Sequence, residues 1–150
     1  MKKYPFPNKN LKTLPEVKEH FVELVSNAMN WLMVDGYTWF VLMPDDENHH
    51  KDDTAGACIV VEYPYKKFHI SIQQSEIDKC LAQKKDSPFW KNLELMMVHE
   101  VIHIILWRLE HLAYKRHVTE QDIRDENEAV VDHLANIVHT AMMEVRKNKS

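Results

Sequence analysis

At 150 residues the chain has the length of one domain with a single core. Apolar residues make up 45% and charged residues 28%, the balance of a globular protein and not of a disordered one. A net charge of -4 excludes the basic footprint of a nucleic-acid binder, two cysteines exclude a disulfide framework, and no uncharged apolar run is long enough to span a membrane. The start, Met1-Lys2-Lys3-Tyr4-Pro5-Phe6-Pro7, has lysines with no apolar stretch behind them, so no secretion signal is visible. With two free thiols, the expectation is a reducing, cytoplasmic setting.

Residues 1–13 are rich in Pro and Asn and predict irregular chain. Thr13-Leu14-Pro15-Glu16 is a helix start, a T-x-x-E box with proline in the first turn. Val17, Phe21, Leu24, Val25, Ala28, Trp31 and Leu32 then recur at helical spacing, and Asp35-Gly36 is the expected stop. Residues 37–43 are aromatic and β-branched and predict a strand. Residues 44–56 are acidic and polar and predict a mobile loop. A second strand is expected over 57–63 and a third over 68–73, where Phe68, Ile70 and Ile72 alternate with His69, Ser71 and Gln73. Ser75 to Asp78 opens a short helix.

Ser87-Pro88 predicts an N-cap with proline behind it, and the chain from there to about Tyr114 reads as helix. Its middle, Leu93 to Leu112, is apolar on most sides and therefore central. A last helix opens at Thr119, with Ile123, Val130, Leu134, Ile137, Val138, Ala141 and Val145 as its expected buried stripe. The fold class is α+β: an N-terminal helix, a small three-stranded, mostly antiparallel sheet, a central helix and a long C-terminal helix.

His99-Glu100-Val101-Ile102-His103 stands inside the central helix. It is an HExxH box. Side chains four apart share a helix face, so His99 and His103 can bind one metal ion together. Glu100 lies next to them, placed to take a proton from a water that the metal activates. Catalytic zinc sites use three protein ligands. The third is expected from Asp125-Glu126-Asn127-Glu128-Ala129-Val130-Val131-Asp132, at the start of the next long helix.

HExxH followed by Asn-Glu-Ala-x-x-Asp resembles the gluzincin branch of the zincin metallopeptidases. The resemblance covers two short motifs within residues 99–132. It implies a minimal zincin-like fold and a Zn²⁺ cofactor, with Glu128 as third ligand and Asp132 orienting His99. A metal-bound imidazole usually donates its other N–H to a carboxylate, which agrees. The chain departs from the branch in carrying Arg124-Asp125-Glu126 ahead of Asn127, with no glycine there. It also has no clear equivalent of the late histidine that steadies the transition state in the larger enzymes. Small zincin-like proteins of phages and bacteria, including the repressor-cleaving type with a short E-x-E-A motif, are similar in size. In that comparison Glu126 is a rival ligand. Helical phase leaves the choice open, since Glu126 and Glu128 flank the apolar stripe on opposite sides; only Glu128 has a carboxylate one turn ahead.

The expected activity is metal-assisted peptide hydrolysis with Glu100 as general base. Tyr114, His111 and His117 are candidate oxyanion donors, without a choice among them. The resemblance implies a peptide or protein substrate lying extended along the 68–73 strand as a sheet edge. Iron, cobalt or manganese also suit a His-His-Glu site. The alternative functions are a non-catalytic zinc-binding regulatory or interaction domain, and a metal-free partner-binding protein that uses the amphipathic last helix. Neither nucleic acid nor membrane is expected as a partner, and the residues leave the oligomeric state open.

Other polar clusters carry plainer expectations. His49-His50, with Asp45, Asp46, Asp52 and Asp53, reads as solvated loop rather than a metal site. His133 and His139 read as surface residues, and Met96, Met97 and the four tryptophans as core packing. Cys80, near Lys79, Lys84 and Lys85, predicts a slightly acidic thiol with no base beside it.

Overall fold

A computed structural model describes residues 7, 9–51, 54–62, 66–113 and 119–147, with the side chains of 108–113, 122, 123, 126 and 129 left aside. Among these residues the order is α1 (Leu14–Trp31), β1 (Thr38–Leu42), β2 (Ala57–Glu62), β3 (Lys67–Ile72), α2 (Gln74–Ala82), α3 (Phe89–Ala113) and α4 (Glu120–Lys147). The α+β class and the element order are those expected from the sequence.

Helix α1 starts where the T-x-x-E box lies. Thr13 Oγ1 accepts the Glu16 N–H, and the Glu16 carboxylate accepts the Thr13 N–H at 3.1 Å. It stops four residues before Asp35-Gly36. Met33 adopts a left-handed φ of 53°, and the Val34 N–H reaches the Met29 carbonyl at 2.9 Å. That is the 6→1 bond of a Schellman stop, with methionine in the position that glycine usually takes.

The sheet order is β1-β3-β2, with β1 parallel and β2 antiparallel to β3. The sheet is therefore mixed, one pair of each kind. Residues 43–56 are long enough to carry the chain across the end of β3, so β1 and β2 flank it. The described part of this segment, up to His50, is pinned, contrary to the mobile loop expected. Asp46 accepts the Met43 N–H at 2.7 Å and the Lys18 ammonium at 3.0 Å. His49 Nε2 donates to the Ile72 carbonyl, and the His50 N–H donates to Ser71 Oγ. Ser71, on the outward side of β3, is buried beneath this cover.

Phe68, Ile70 and Ile72 point inward, as their alternation predicts, and are fully buried. They pack with Phe21, Leu24 and Val25 of α1 and with Leu93, Met97 and Val101 of α3 in one core cluster. Trp39 stacks on Phe68 with ring planes 8° apart. Helix α3 buries residues all round its middle and holds α4 alongside. The buried stripe of α4 is turned from the one expected. Val131, Ala135 and Met142 are buried, with Leu134 and Val138 packed against the core, whereas Val130 and Ile137 are exposed. The apolar residues of α4 admit two neighbouring stripes, and packing against α3 buries the one through Val131, Ala135 and Met142.

Candidate metal centre and cleft

His99 and His103 project from one side of α3, where the helix is anchored on its other sides by Val98, Val101 and Ile102, all essentially inaccessible. Their rings meet edge to face, with centroids 4.9 Å apart. The two Nε2 atoms are 3.1 Å apart. Helix α4 runs antiparallel to α3 and brings Glu128 against the pair. Its Oε2 lies 3.4 Å from His99 Nε2 and its Oε1 lies 3.2 Å from His103 Nε2. Among the described residues, this is the one group of three such side chains whose ligand atoms converge.

The donor set fits a divalent ion. Asp132 Oδ1 is 2.7 Å from His99 Nδ1, so that nitrogen carries the proton and Nε2 keeps a lone pair. With the His103 proton on Nδ1, a second lone pair would be aimed at the same point as the Glu128 carboxylate, an arrangement that a cation stabilises. Tetrahedral zinc with bonds of about 2.0–2.1 Å separates its ligand atoms by about 3.3 Å. The two imidazole nitrogens are 3.1 Å apart, and each lies 3.2–3.4 Å from a different oxygen of the Glu128 carboxylate, separations of the same size. His99 and His103 are mostly shielded while Glu128 is half exposed, so the site opens on its α4 side.

Two cavities meet at His99 and Glu100. One, of about 520 Å³, is bounded by Ile59 and Val61 of β2, His103 and Trp107 of α3, and Arg124 and Asp125 of α4. The other, of about 310 Å³, is more apolar and is bounded by Gly56, Ala57, Leu95, Met96, Ala135 and Asn136. Glu100 lies in the wall of both and is 7% exposed. β2 is a marginal strand, laddered to β3 alone, and it forms one bank of this cleft.

That topology corrects the expected substrate strand. Residues 68–72 lie in β3, which is central and paired on both sides, so its backbone groups are already engaged, and Gln73 caps α2. The bank facing the metal centre is β2. Trp107, Met96 and Arg124 are cleft residues that the sequence reading did not pick. Trp107 was legible, because it stands four residues beyond His103 on the same helix face. Trp90 and Trp39 pack as expected, but Trp31 is 41% exposed.

Several expectations fall elsewhere. His139 is not a surface residue; it meets buried Glu94 across α3 and α4 at 3.1 Å. Cys80 is the reverse of an acidic thiol: burial pushes it up to about 12, and the Glu76 charge adds to that. Tyr114 and His117 lie outside the described residues, as do the side chains of His111 and Glu126. No helix among the described residues is long and apolar enough to cross a membrane. Compared with family models, with curated proteins and with solved structures, the chain matches none.

Proposed function

We propose that the protein is a small zinc-dependent peptidase of the zincin kind. The convergence of His99 Nε2, His103 Nε2 and the Glu128 carboxylate, with Glu100 in the adjoining wall, carries this reading. Zn²⁺ is the proposed ion, held by those three residues; when bound, it supplies Lewis acidity and makes water a nucleophile near neutral pH. Glu100 accepts the proton of the attacking water and returns it to the leaving amine nitrogen. Asp132 keeps the proton on Nδ1 of His99 and so keeps Nε2 a ligand. The substrate is a peptide in extended form, adding a strand to β2 and running through both cavities past Glu100. The half-apolar wall at Leu95 and Met96 favours a small apolar side chain on that side.

Metal analysis and a peptide library test this together. The expected result is one zinc per chain and hydrolysis that stops on chelation and returns with zinc. Hydrolysis that survives both chelation and Glu100→Gln would sink the reading. One zinc per chain with no peptide cut would leave the alternative, a zinc-binding domain without turnover.

A further inference from the structure

Helices α3 and α4 meet at a second polar contact, remote from the metal centre. Glu94 of α3 is 2% exposed. Arg146 grips it with two N–H groups, at 2.6 and 2.9 Å, and His139 Nε2 lies 3.1 Å from the same carboxylate. Burial pushes the Glu94 carboxyl up, but those hydrogen bonds and the Arg146 charge outweigh it and hold it below its ordinary value. From His99, Glu94 is five residues back along α3. From Asp132, His139 is seven residues forward along α4. In an antiparallel pair these are steps in the same direction, so both contacts belong to one register.

Three of the apolar contacts tolerate another register. Shift α4 by four residues, and Ala135 takes the place of Val131, Val138 that of Leu134, and Met142 that of Val138. Those three exchanges are apolar for apolar, over one helical turn of about 5.4 Å, but the shift also drives His139 and Arg146 into the places of buried Ala135 and Met142. The same shift puts Asp132 where Glu128 stood and Asn136 opposite His99 Nδ1. It also takes Arg146 and His139 away from a carboxylate that water does not reach, which is strongly unfavourable. We infer that Glu94, with Arg146 and His139, is the register key of the α3–α4 pair and a set of positioning residues that deliver Glu128 and Asp132 to the two imidazoles. Its functional consequence rests on the metal-site reading above; the register itself does not.

Spin labels on exposed Lys91 and Glu120, with Cys58 and Cys80 changed to Ala, report displacement along the helix axes. Zinc affinity is measured on the same chains without labels, by competition with a chelator, together with the Co²⁺ absorption spectrum. The variants are Glu94→Gln and, because that chain can fail to fold, the all-apolar replacement Glu94→Leu with His139→Leu and Arg146→Met. Apolar substitution of a buried ionic cluster keeps or raises stability. The expected result for the triple variant is a melting temperature at or above the parent's, a second distance population displaced by about 5 Å, zinc affinity down by about tenfold or more, and an altered Co²⁺ spectrum. Met142→Ala lowers the melting temperature through the same interface but leaves distance and affinity unchanged. A single, parental distance in the triple variant overturns the inference, and so does an equal loss of affinity in Met142→Ala. If the parent takes up no zinc, the metal-site reading fails, and the distance measurement still decides the register.

Discussion

A single hydrogen bond, His99 Nδ1 to Asp132, decides which imidazole nitrogen faces the other donors. Removing its acceptor leaves the ring free to turn and to carry its proton on either nitrogen. Asp132→Ala is therefore expected to weaken zinc binding by about 10–100-fold, as read by chelator competition, with the fold intact by circular dichroism. Glu100 makes the opposite separation. Glu100→Gln keeps the shape of the cleft wall and removes the base, so zinc affinity stays as it was while kcat on a cleaved peptide falls by about 10²–10⁴-fold. At this scale the chain was largely legible. The two box histidines, Glu100, Glu128 and Asp132 all sit on helices, where spacing along the chain dictates which side chains share a face. Met96, Arg124 and the β2 bank were not legible, because their position depends on which strand the chain lays beside α3.

Helices were read well and their edges less so. The start of α1 is written in side chains, and the Thr13–Glu16 box is found as expected. Its end is written in backbone conformation, with left-handed Met33 doing what the glycine three residues later does not. Met33 is 89% exposed, so its side chain contributes little packing to offset that conformation. Met33→Gly is expected to stabilise the protein by about 1 kcal/mol in urea unfolding. The sheet illustrates a different limit. Strand positions follow from alternation, but the order β1-β3-β2 depends on how Asp46, His49 and His50 are pinned by Lys18, the Ile72 carbonyl and Ser71. No local pattern encodes contacts at that separation. Helix α4 stands between these cases, since its pattern allowed two stripes and α3 chose one. Met142→Ala is accordingly expected to cost about 2–5 kcal/mol. Ile137→Ser, on the stripe wrongly favoured by the pattern and half exposed here, is expected to stay within about 0.5 kcal/mol.

Across the whole molecule, the layers α1, α3 and α4 are joined by ionisable groups that water scarcely reaches, which makes the fold sensitive to acid. His20 of α1 is 5% exposed and packs edge-on against Trp90, with ring centroids 5.2 Å apart. Burial lowers its pKa below 6.5, against opposing pulls from the Glu23 and Glu94 charges. Below that ordinary value the unfolded chain takes up a proton that the folded chain refuses. Unfolded protein therefore binds more protons in this window, and stability must fall as pH drops from about 6.5 through the lower folded value. Glu94 adds a second stage of the same sign. Its folded carboxyl titrates below 4.5, so its contribution is complete above that pH and is lost on going down through the folded value. In a chain of this size each kcal/mol lost lowers the melting temperature by about 2–4 °C. Melting temperatures of chelator-treated protein from pH 8 to pH 3 are expected to decline in two steps. His20→Phe should shrink the first step, to which partly buried His69 adds with the same sign, and keep the second. A decline below pH 6.5 that is as steep in His20→Phe as in the parent would mean that the buried imidazole is not its source.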